Sequence, residues 1–264
     1  MCNICEQWGH NEKWYLNREN HRKYEVGSEP DMEAFLSNWG SDFHNWQLSY
    51  ERLSHLEGVK DHQVIPLEDA LEMFDIIGDI AQGDPKAFSI GDCPCAMTFT
   101  GEKVEKCISF GMSLTVRKSR MSAADESKRH FLTLEEAKAK VVELDRKGYV
   151  HSPDAIGSIF SNFHVMQLCN CTANSCTRFR MRDQGHSSPI KGEYVAAVNP
   201  LKCAGCRRCL SYCQYGALRF DPTNRKAWVD VRVCAGCGVC RVQCESESIT
   251  LLDRKKIPVA ANLW

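Results

Sequence analysis

Apolar side chains recur every three or four residues in three stretches of the chain, which is the spacing of an amphipathic helix. The first stretch covers 31–56 and carries a row of aromatic residues, and the second begins at Pro66. In the third, Thr133 can cap the first turn while Glu136 reaches back to it, and Gly148 follows the end. These three predicted helices cover 31–56, the stretch from Pro66 to Ile77 and 134–147, and a fourth helix is predicted over 154–167.

Alternating residues bounded by turn-forming ones predict strands elsewhere. A strand-like run covers 108–116, and the runs 194–198 and 249–252 have the character of two outer strands. Between those two, 220–231 contains Asp-Pro-Thr-Asn and then a further strand-like run, which predicts a hairpin. The polar run 183–192, which contains glycine, proline and serine, is the best candidate for a linker.

These elements predict two domains and an α+β fold, since 264 residues exceed one average domain. The expected organisation is an irregular arm over 1–30, a mainly helical cysteine-containing domain over 31–182, a linker over 183–192, a second domain over 193–254 and a tail over 255–264. The apolar tail favours either docking into a larger complex or packing on its own domain.

Composition indicates the cellular compartment and excludes some classes of partner. Sixteen cysteines without a basic and then apolar leader predict metal chemistry in a reducing cytoplasm rather than secreted disulfides. No apolar stretch approaches the roughly 20 residues that span a bilayer, so direct membrane insertion is not expected. The chain also lacks the motifs and the interleaved basic and aromatic residues of nucleic-acid-binding proteins.

The net charge of -1 hides an asymmetry. From Glu193 onward there are 11 Lys and Arg against 6 Asp and Glu, a net of +5, so the preceding part carries -6. The basic side chains either steer an acidic redox partner and offset an anionic cofactor, or are ordinary solvated surface charge. They include Arg207, Arg208, Arg219, Arg225, Lys226, Arg232 and Arg241.

One cysteine pattern occurs twice in the basic part. Cys203-x2-Cys206-x2-Cys209-x3-Cys213 returns as Cys234-x2-Cys237-x2-Cys240-x3-Cys244, and both copies begin Cys-Ala-Gly-Cys. Three thiolates at two-residue gaps suit three corners of one iron–sulfur cube, and the fourth cysteine of such a repeat ligates the other cube. Paired zinc knuckles or a disulfide framework are the alternatives, because zinc also takes four thiolates.

The stretch 193–254 resembles the bacterial two-[4Fe-4S] ferredoxin family, whose eight ligands match these eight cysteines position by position. The resemblance covers about a quarter of the chain and implies a duplicated ferredoxin-like fold with two [4Fe-4S] clusters. The chain departs from the family at Gln214 and Glu245, where proline usually follows the fourth cysteine. The implied ligand sets are Cys203, Cys206, Cys209 and Cys244 for the first cluster, and Cys234, Cys237, Cys240 and Cys213 for the second.

Six further cysteines precede this part, namely Cys93, Cys95, Cys107, Cys169, Cys171 and Cys176. They resemble an anaerobe-type iron–sulfur module found ahead of ferredoxin domains. The matching segments are Cys93-Pro94-Cys95, Gly148-Tyr149-Val150-His151 and Cys169-Asn170-Cys171. The cysteine run is thinner here, with Thr172 and Ala173 where such modules often have more cysteine. The resemblance implies a third iron–sulfur cluster, whereas zinc and reduced, packed cysteines are alternatives, and the four cysteines that act together stay open.

Histidines and two terminal cysteines complete the candidates. His151 and His164 are possible ligands or hydrogen-bond partners of the six-cysteine site, although a lone histidine is more often structural. Cys2 and Cys5, with His10 nearby, form a pair without an assigned role.

The resemblances favour an iron–sulfur protein that relays single electrons to a redox partner within a cytoplasmic, anaerobic oxidoreductase complex, with no catalytic residue of its own. A Gly-rich dinucleotide fingerprint and a phosphate loop are both missing from the sequence, so the substrate chemistry is expected in a partner. One alternative is a reductase whose six-cysteine site is catalytic and receives electrons from the ferredoxin-like part. A zinc-stapled assembly factor is a second alternative.

Overall fold

The structure, a computed structural model, describes residues 13–22, 62–110, 129–156, 164–183 and 190–263. Its helices are α1 (Arg18–Arg22), α2 (Leu67–Ala81), α3 (Pro94–Thr100), α4 (Leu134–Arg146), α5 (Thr177–Asp183), α6 (Arg208–Tyr212) and α7 (Val239–Val242). Its strands are β1 (Phe88–Asp92), β2 (Glu105–Phe110), β3 (Arg129–Leu132), β4 (Val150–Ile156), β5 (His164–Cys171), β6 (Tyr194–Val198), β7 (Leu218–Asp221), β8 (Lys226–Val229) and β9 (Ile249–Asp253). The helix predicted over 31–56, the terminal residues Cys2, Cys5 and His10, and the side chain of His164 lie outside the described residues.

An antiparallel sheet of five strands, in the order β3-β1-β2-β5-β4, forms the centre of the part before residue 184. Helices α2 and α4 bury their apolar faces against it. Phe74 of α2 stacks on Phe88 of β1 with ring centroids 5.2 Å apart, and Val141 of α4 and Leu168 of β5 belong to the same buried cluster. This described part therefore combines a sheet with helices, whereas the sequence led us to expect mainly helices.

The two best-marked helices agree with the sequence. Helix α2 begins directly after Pro66, and α4 begins after Thr133 with the predicted capping box. The hydroxyl of Thr133 accepts the backbone N–H of Glu136 at 3.2 Å, and the Glu136 carboxylate accepts the backbone N–H of Thr133 at 2.8 Å. These local signals specify a helix without help from the rest of the chain.

The helix predicted over 154–167 is wrong, because β4 and β5 occupy both ends of that range and pair with each other. Pro153 lies within β4, which is tolerated because β4 is an edge strand of the sheet. Sheet pairing between distant segments decided this outcome. The segment with Cys93 and Cys95 opens α3, with Pro94 in the first turn.

The part after residue 190 contains two short antiparallel pairs, β6 with β9 and β7 with β8. The predicted outer strands and hairpin are thus confirmed. Val195, Leu218 and Ile249 are buried between the pairs, together with cysteines from both repeats. Helix α6 carries the third cysteine of the first repeat, Cys209, and α7 carries the third cysteine of the second repeat, Cys240.

Segments near both ends of the described chain also pack inward. In the region predicted as an irregular arm, Trp14 and Tyr15 are fully buried, and the Tyr15 hydroxyl donates to Asp69 Oδ2 at 2.6 Å. In the tail, Ala260 is fully buried against the cysteine-containing core of the second part, while Val259 is exposed. The tail therefore packs, at least in part, on the region that precedes it. None of the helices in the described ranges has the length and apolar character needed to cross a membrane.

Candidate metal centres

Three local structures deliver the six cysteines of the first part to one place. Cys93 is the N-cap of α3 and Cys95 lies in its first turn. Cys107 lies on β2 next to the pair Ile108–Leu168, and Cys169 follows Leu168 on β5, so antiparallel pairing sets these two cysteines opposite each other. Side chains two apart on a strand share a face, which explains why Cys171 joins Cys169.

All six side chains line a single cavity. The spacing of the cysteines in the sequence did not decide whether the six would come together. The sulfur atoms of Cys93 and Cys107 are 3.7 Å apart, and those of Cys171 and Cys176 are 2.8 Å apart. None of the six forms a disulfide in the structure. Such a set supplies more thiolates than the four that a zinc ion or a [4Fe-4S] cluster requires.

Two buried cations line the same cavity. Lys106 is only 1% exposed and donates to the hydroxyl of Ser175 at 2.6 Å, and Arg178 is 5% exposed with its guanidinium 3.9 Å from Asp154 Oδ1. Although burial opposes it, the nearby thiols of Cys93 and Cys171, when ionised, hold the pKa of Lys106 above its ordinary value. Buried charges are retained only where they are paired, so Lys106 fits an anionic group held by thiolates.

The thiols raise one another's pKa values in the absence of a metal. The hydrogen bond with Cys107 is the largest cause that raises the pKa of Cys93 to about 12. The pKa of Cys107 is shifted in the same direction, chiefly by its hydrogen bond with Cys169. A metal or cluster binds the thiolate form, so its binding at this cavity displaces protons.

His62, Asp154 and Cys169 form a mixed group at one wall of the cavity. Nε2 of His62 lies 3.4 Å from Asp154 Oδ1 and 3.8 Å from the sulfur of Cys169, and all three ligand atoms lie within 4.8 Å of one another. Gln167 donates to the other carboxylate oxygen of Asp154 at 2.6 Å. Sequence reasoning missed His62, because no motif surrounds it and its partners are about 90 or more residues away.

His151, a candidate ligand from the sequence, does not line this cavity. Its Nδ1 contacts Asn170 Oδ1 at 2.5 Å, and its Nε2 lies 3.4 Å from the buried carboxylate of Asp145. The ring therefore belongs to the packing between β4, β5 and α4, which is the structural role that lone histidines more often have.

In the second part, the glycine of each Cys-Ala-Gly-Cys segment permits the turn. Gly205 and Gly236 have φ of +69° and +82°. A Cβ atom would lie 2.3 Å from the carbonyl oxygen of Arg225 at Gly205, and 2.2 Å from that of Tyr194 at Gly236. Only glycine fits both the backbone conformation and these close approaches, so the glycine that the two copies share has a steric cause.

The fourth cysteine of each repeat lies near cysteines of the other repeat. Burial raises the pKa of Cys209 to about 11, and the next contribution comes from Cys244 of the other repeat. Burial likewise raises the pKa of Cys237 to about 12, with further contributions from Cys234 and from Cys213 of the first repeat. The fourth cysteine of each repeat therefore adds to the electrostatic surroundings of the other repeat's cysteines.

Backbone amides point at several of these sulfur atoms. The N–H groups of Ala196 and Ala217 donate to Cys234 and Cys213 at 3.3 and 3.2 Å. Although burial opposes it, hydrogen bonds from Ser246 and Ser248 hold the pKa of Cys244 below its ordinary value. Such donors stabilise a thiolate and tune a cluster that the thiolate ligates.

The charges in this part serve more than one purpose. Arg241 pairs with Glu68 of α2 at 2.6 Å and Lys226 donates to the carbonyl oxygen of Cys203 at 2.6 Å, so both also act within the molecule. Arg207 is exposed beside Cys206, which is the one exposed cysteine of the described residues. A basic surface thus adjoins the first cysteine set.

Comparison with known proteins gives partial similarity. No family model matches the chain. Segments of 61 to 73 residues are similar to the archaeal-type glutamate synthase [NADPH] of Thermotoga maritima (32% identity), a component of the ion-translocating oxidoreductase complex of Methanosarcina acetivorans (38%) and the IorA component of the indolepyruvate oxidoreductase of Pyrococcus abyssi (43%). These segments cover 23 to 26% of this chain but only 10 to 22% of the relatives. The similarity supports an iron–sulfur, electron-transferring segment of the kind that oxidoreductase subunits carry.

Proposed function

We propose that this chain relays single electrons inside an oxidoreductase complex. Two [4Fe-4S] clusters would be held by Cys203, Cys206, Cys209 and Cys244 and by Cys234, Cys237, Cys240 and Cys213, and a third metal centre by the six-cysteine cavity. The proximity of Cys244 to Cys209 and of Cys213 to Cys237 carries the proposal, because crossed ligation is the arrangement of two-cluster ferredoxin domains. When bound, such clusters supply one-electron oxidation and reduction with little rearrangement.

At the six-cysteine cavity, the buried Lys106 favours an anionic group, and both a thiolate-ligated iron–sulfur cluster and a zinc tetrathiolate meet that requirement. We favour a cluster because the cavity adjoins the second cysteine set, where a redox centre would extend the electron path. The protein's own groups would position and electrostatically stabilise it: Lys106 and Arg178 through charge, and the strands β2 and β5 through the spacing of the sulfur atoms.

The partner is expected to be an acidic redox protein or subunit. Lys202, Arg207 and Arg225 are exposed around the first cysteine set, and Leu201 beside them is 93% exposed. Positive charge of this kind accelerates encounter with a negatively charged partner. From the sixteen cysteines we propose that the protein works in the cytoplasm under anaerobic conditions.

A reductase with its catalytic site in the six-cysteine cavity is the second candidate, and the group formed by His62, Asp154 and Cys169 favours it. Histidine, carboxylate and thiolate together are ligands that a catalytic metal with an open position uses. Against this, Arg178 already lies near the Asp154 carboxylate and competes with a divalent cation there.

Iron, acid-labile sulfide and zinc analysis of anaerobically purified protein, followed by low-temperature EPR of the reduced protein, tests the proposal. We expect iron and sulfide for three clusters and no stoichiometric zinc. Iron for two clusters alone would remove the third centre, and iron below that would remove the relay. Turnover of a substrate by the isolated chain with an artificial electron donor would favour the reductase instead.

A further inference from the structure

The residue that follows Cys213 connects the two candidate redox regions. The side chain of Gln214 accepts the backbone N–H of Ala173 at 2.5 Å and donates to the carbonyl oxygen of Gly148 at 2.7 Å. Its amide nitrogen also lies 3.4 Å from the carbonyl oxygen of Cys171. The side chain of Gln214 thus binds the backbone where β4 begins and β5 ends, beside Cys171 of the six-cysteine cavity.

Tyr215, the next residue, fills the space between the same two regions. It belongs to one apolar cluster with Cys171 and Cys176 of the cavity and with Cys237 of the second cysteine set. The ring lies 5.2 Å from that of Phe179, and the buried hydroxyl has no hydrogen-bond partner among the described residues. The aromatic ring, rather than the hydroxyl, is therefore what this position uses.

The equivalent position in the other repeat has no such contact. Glu245 follows Cys244 and pairs with Arg208 at the surface, where its side chain is 79% exposed. The first cysteine set instead includes the exposed Cys206. The two repeats therefore differ at the position where both depart from the proline usual in ferredoxins.

We propose that Gln214 and Tyr215 are positioning residues that make the second cysteine set the electron-exchange neighbour of the six-cysteine centre, with the first set at the exit. This inference rests on the proposed function, since it requires redox-active groups at both places. In each exchange, one electron leaves the reduced centre and enters the oxidised one, while no bond is made and no proton moves. Low-potential one-electron donors and acceptors complete the path at its two ends.

Magnetic coupling between reduced centres tests this order. The full-length protein, prepared anaerobically and reduced with dithionite, is compared by EPR with Gln214→Pro, which installs the usual ferredoxin residue and removes three amide contacts. Glu245→Pro is the matched control, because it makes the same change beside the other cysteine set and disturbs only a surface ion pair. In the wild type, magnetic coupling to the six-cysteine centre should split the EPR signal of the second cysteine set. We expect Gln214→Pro to lose this splitting and Glu245→Pro to keep it.

Tyr215→Leu and Tyr215→Phe provide a second measurement if Gln214→Pro does not fold. After rapid mixing with a one-electron oxidant such as ferricyanide, the six-cysteine centre should exchange electrons with the second set more slowly in Tyr215→Leu. Tyr215→Phe should match the wild type, because it keeps the ring.

One result would overturn the positioning role alone, and another would overturn the third metal centre as well. If three clusters are present and reduced but the wild type shows no splitting from the six-cysteine centre, or the variants leave splitting and rate unchanged, the positioning role fails and the relay stands. If iron analysis finds no cluster in the six-cysteine cavity, the third centre of the proposed function fails together with this inference.

Discussion

Lys106 shows how strongly one residue constrains the chemistry of the six-cysteine cavity. A lysine that is 1% exposed, with its ammonium group hydrogen-bonded to Ser175, would be costly in a cavity that held only neutral thiols. Beside a thiolate-ligated cluster, the same charge stabilises the negative charge of the group. The adjacency of Lys106 and Cys107 is visible in the sequence, but the burial of the lysine is not.

Removing this charge tests its role. We expect Lys106→Met to lower the reduction potential of the six-cysteine centre by roughly 60 mV, which corresponds to a tenfold change in a one-electron equilibrium constant. The physical reason is that reduction adds negative charge, which the ammonium group would otherwise stabilise. Potentiometric EPR measures the shift, and Lys103→Met, an exposed lysine three residues away, serves as the control. An unchanged potential in Lys106→Met would contradict the role.

Crossed ligation leads to a prediction for single cysteines of the repeats. Cys213→Ala should damage chiefly the cluster held by Cys234, Cys237 and Cys240, because the sulfur of Cys213 contributes to the surroundings of that set. Cys244→Ala is the reciprocal variant and should damage the cluster held by Cys203, Cys206 and Cys209. EPR and iron content report which cluster is lost. Loss confined to the cluster of the same repeat would show that the ligands do not cross.

Helix α4 connects local sequence signals to the contact between the two parts. It begins at the capping box of Thr133 and is followed by Gly148, whose φ is +87°. A Cβ atom there would lie 2.7 Å from Cδ1 of Tyr212 in α6. The same glycine carries the carbonyl group that Gln214 binds, so the end of this helix forms part of the joint between the two candidate redox regions.

Gly148→Ala should therefore destabilise the protein by more than backbone strain alone. An alanine in the left-handed region costs about 1–2 kcal/mol, and displacement of the Tyr212 ring adds to that cost. Gly83→Ala is the matched control, since Gly83 has a φ of +81° with no atom within 4 Å of its Cβ position. Chemical denaturation of both variants compares the two free energies of unfolding. Equal losses would show that the contact with Tyr212 contributes nothing.

At the scale of the whole molecule, a buried arginine holds the end of the predicted linker against the second cysteine set. Arg254 is fully buried, and its guanidinium donates to the carbonyl oxygens of Gly192, Tyr194 and Cys234 at 2.6 to 2.8 Å. The Gly192 N–H in turn donates to the carbonyl oxygen of Ala235. The end of the predicted linker thus lies beside the second cysteine set, which suits a path that crosses between the two parts.

Charge also organises the molecule, with the basic end at the proposed exit. Electron exchange with an acidic flavodoxin should slow as ionic strength rises from roughly 0.01 to 0.15 M, because the Debye length falls from about 30 to about 8 Å. Lys202→Glu should slow exchange further and weaken the salt dependence, as Lys202 is exposed next to Cys203. Lys86→Glu makes the same charge change in the first part and should have little effect. Stopped-flow kinetics measures the rates, and salt-independent exchange would argue against an acidic partner at this surface.

The sequence by itself determined the elements and residues whose signals are local. Helices α2 and α4, the strands β6 to β9 and the spacing of the eight repeat cysteines all depend on residues within a few positions of one another. Capping, glycine-dependent turns and alternation act at that range, so they are readable without a fold. The ligand sets themselves remain predictions from the ferredoxin resemblance.

Tertiary structure alone decided what happens between distant segments. The pairing of β2 with β5 brings Cys107 to Cys169, and the pairing of β5 with β4 replaced a helix that the local pattern favoured. His62 and the two buried cations join the cavity from positions with no common motif. In the sequence, Gln214 was notable only because it replaces the proline usual in ferredoxins. Its hydrogen bonds with the backbone of Ala173 and Gly148 indicate what the glutamine does there. Pairing and burial depend on the whole chain, because each is stabilised by partners far away in sequence.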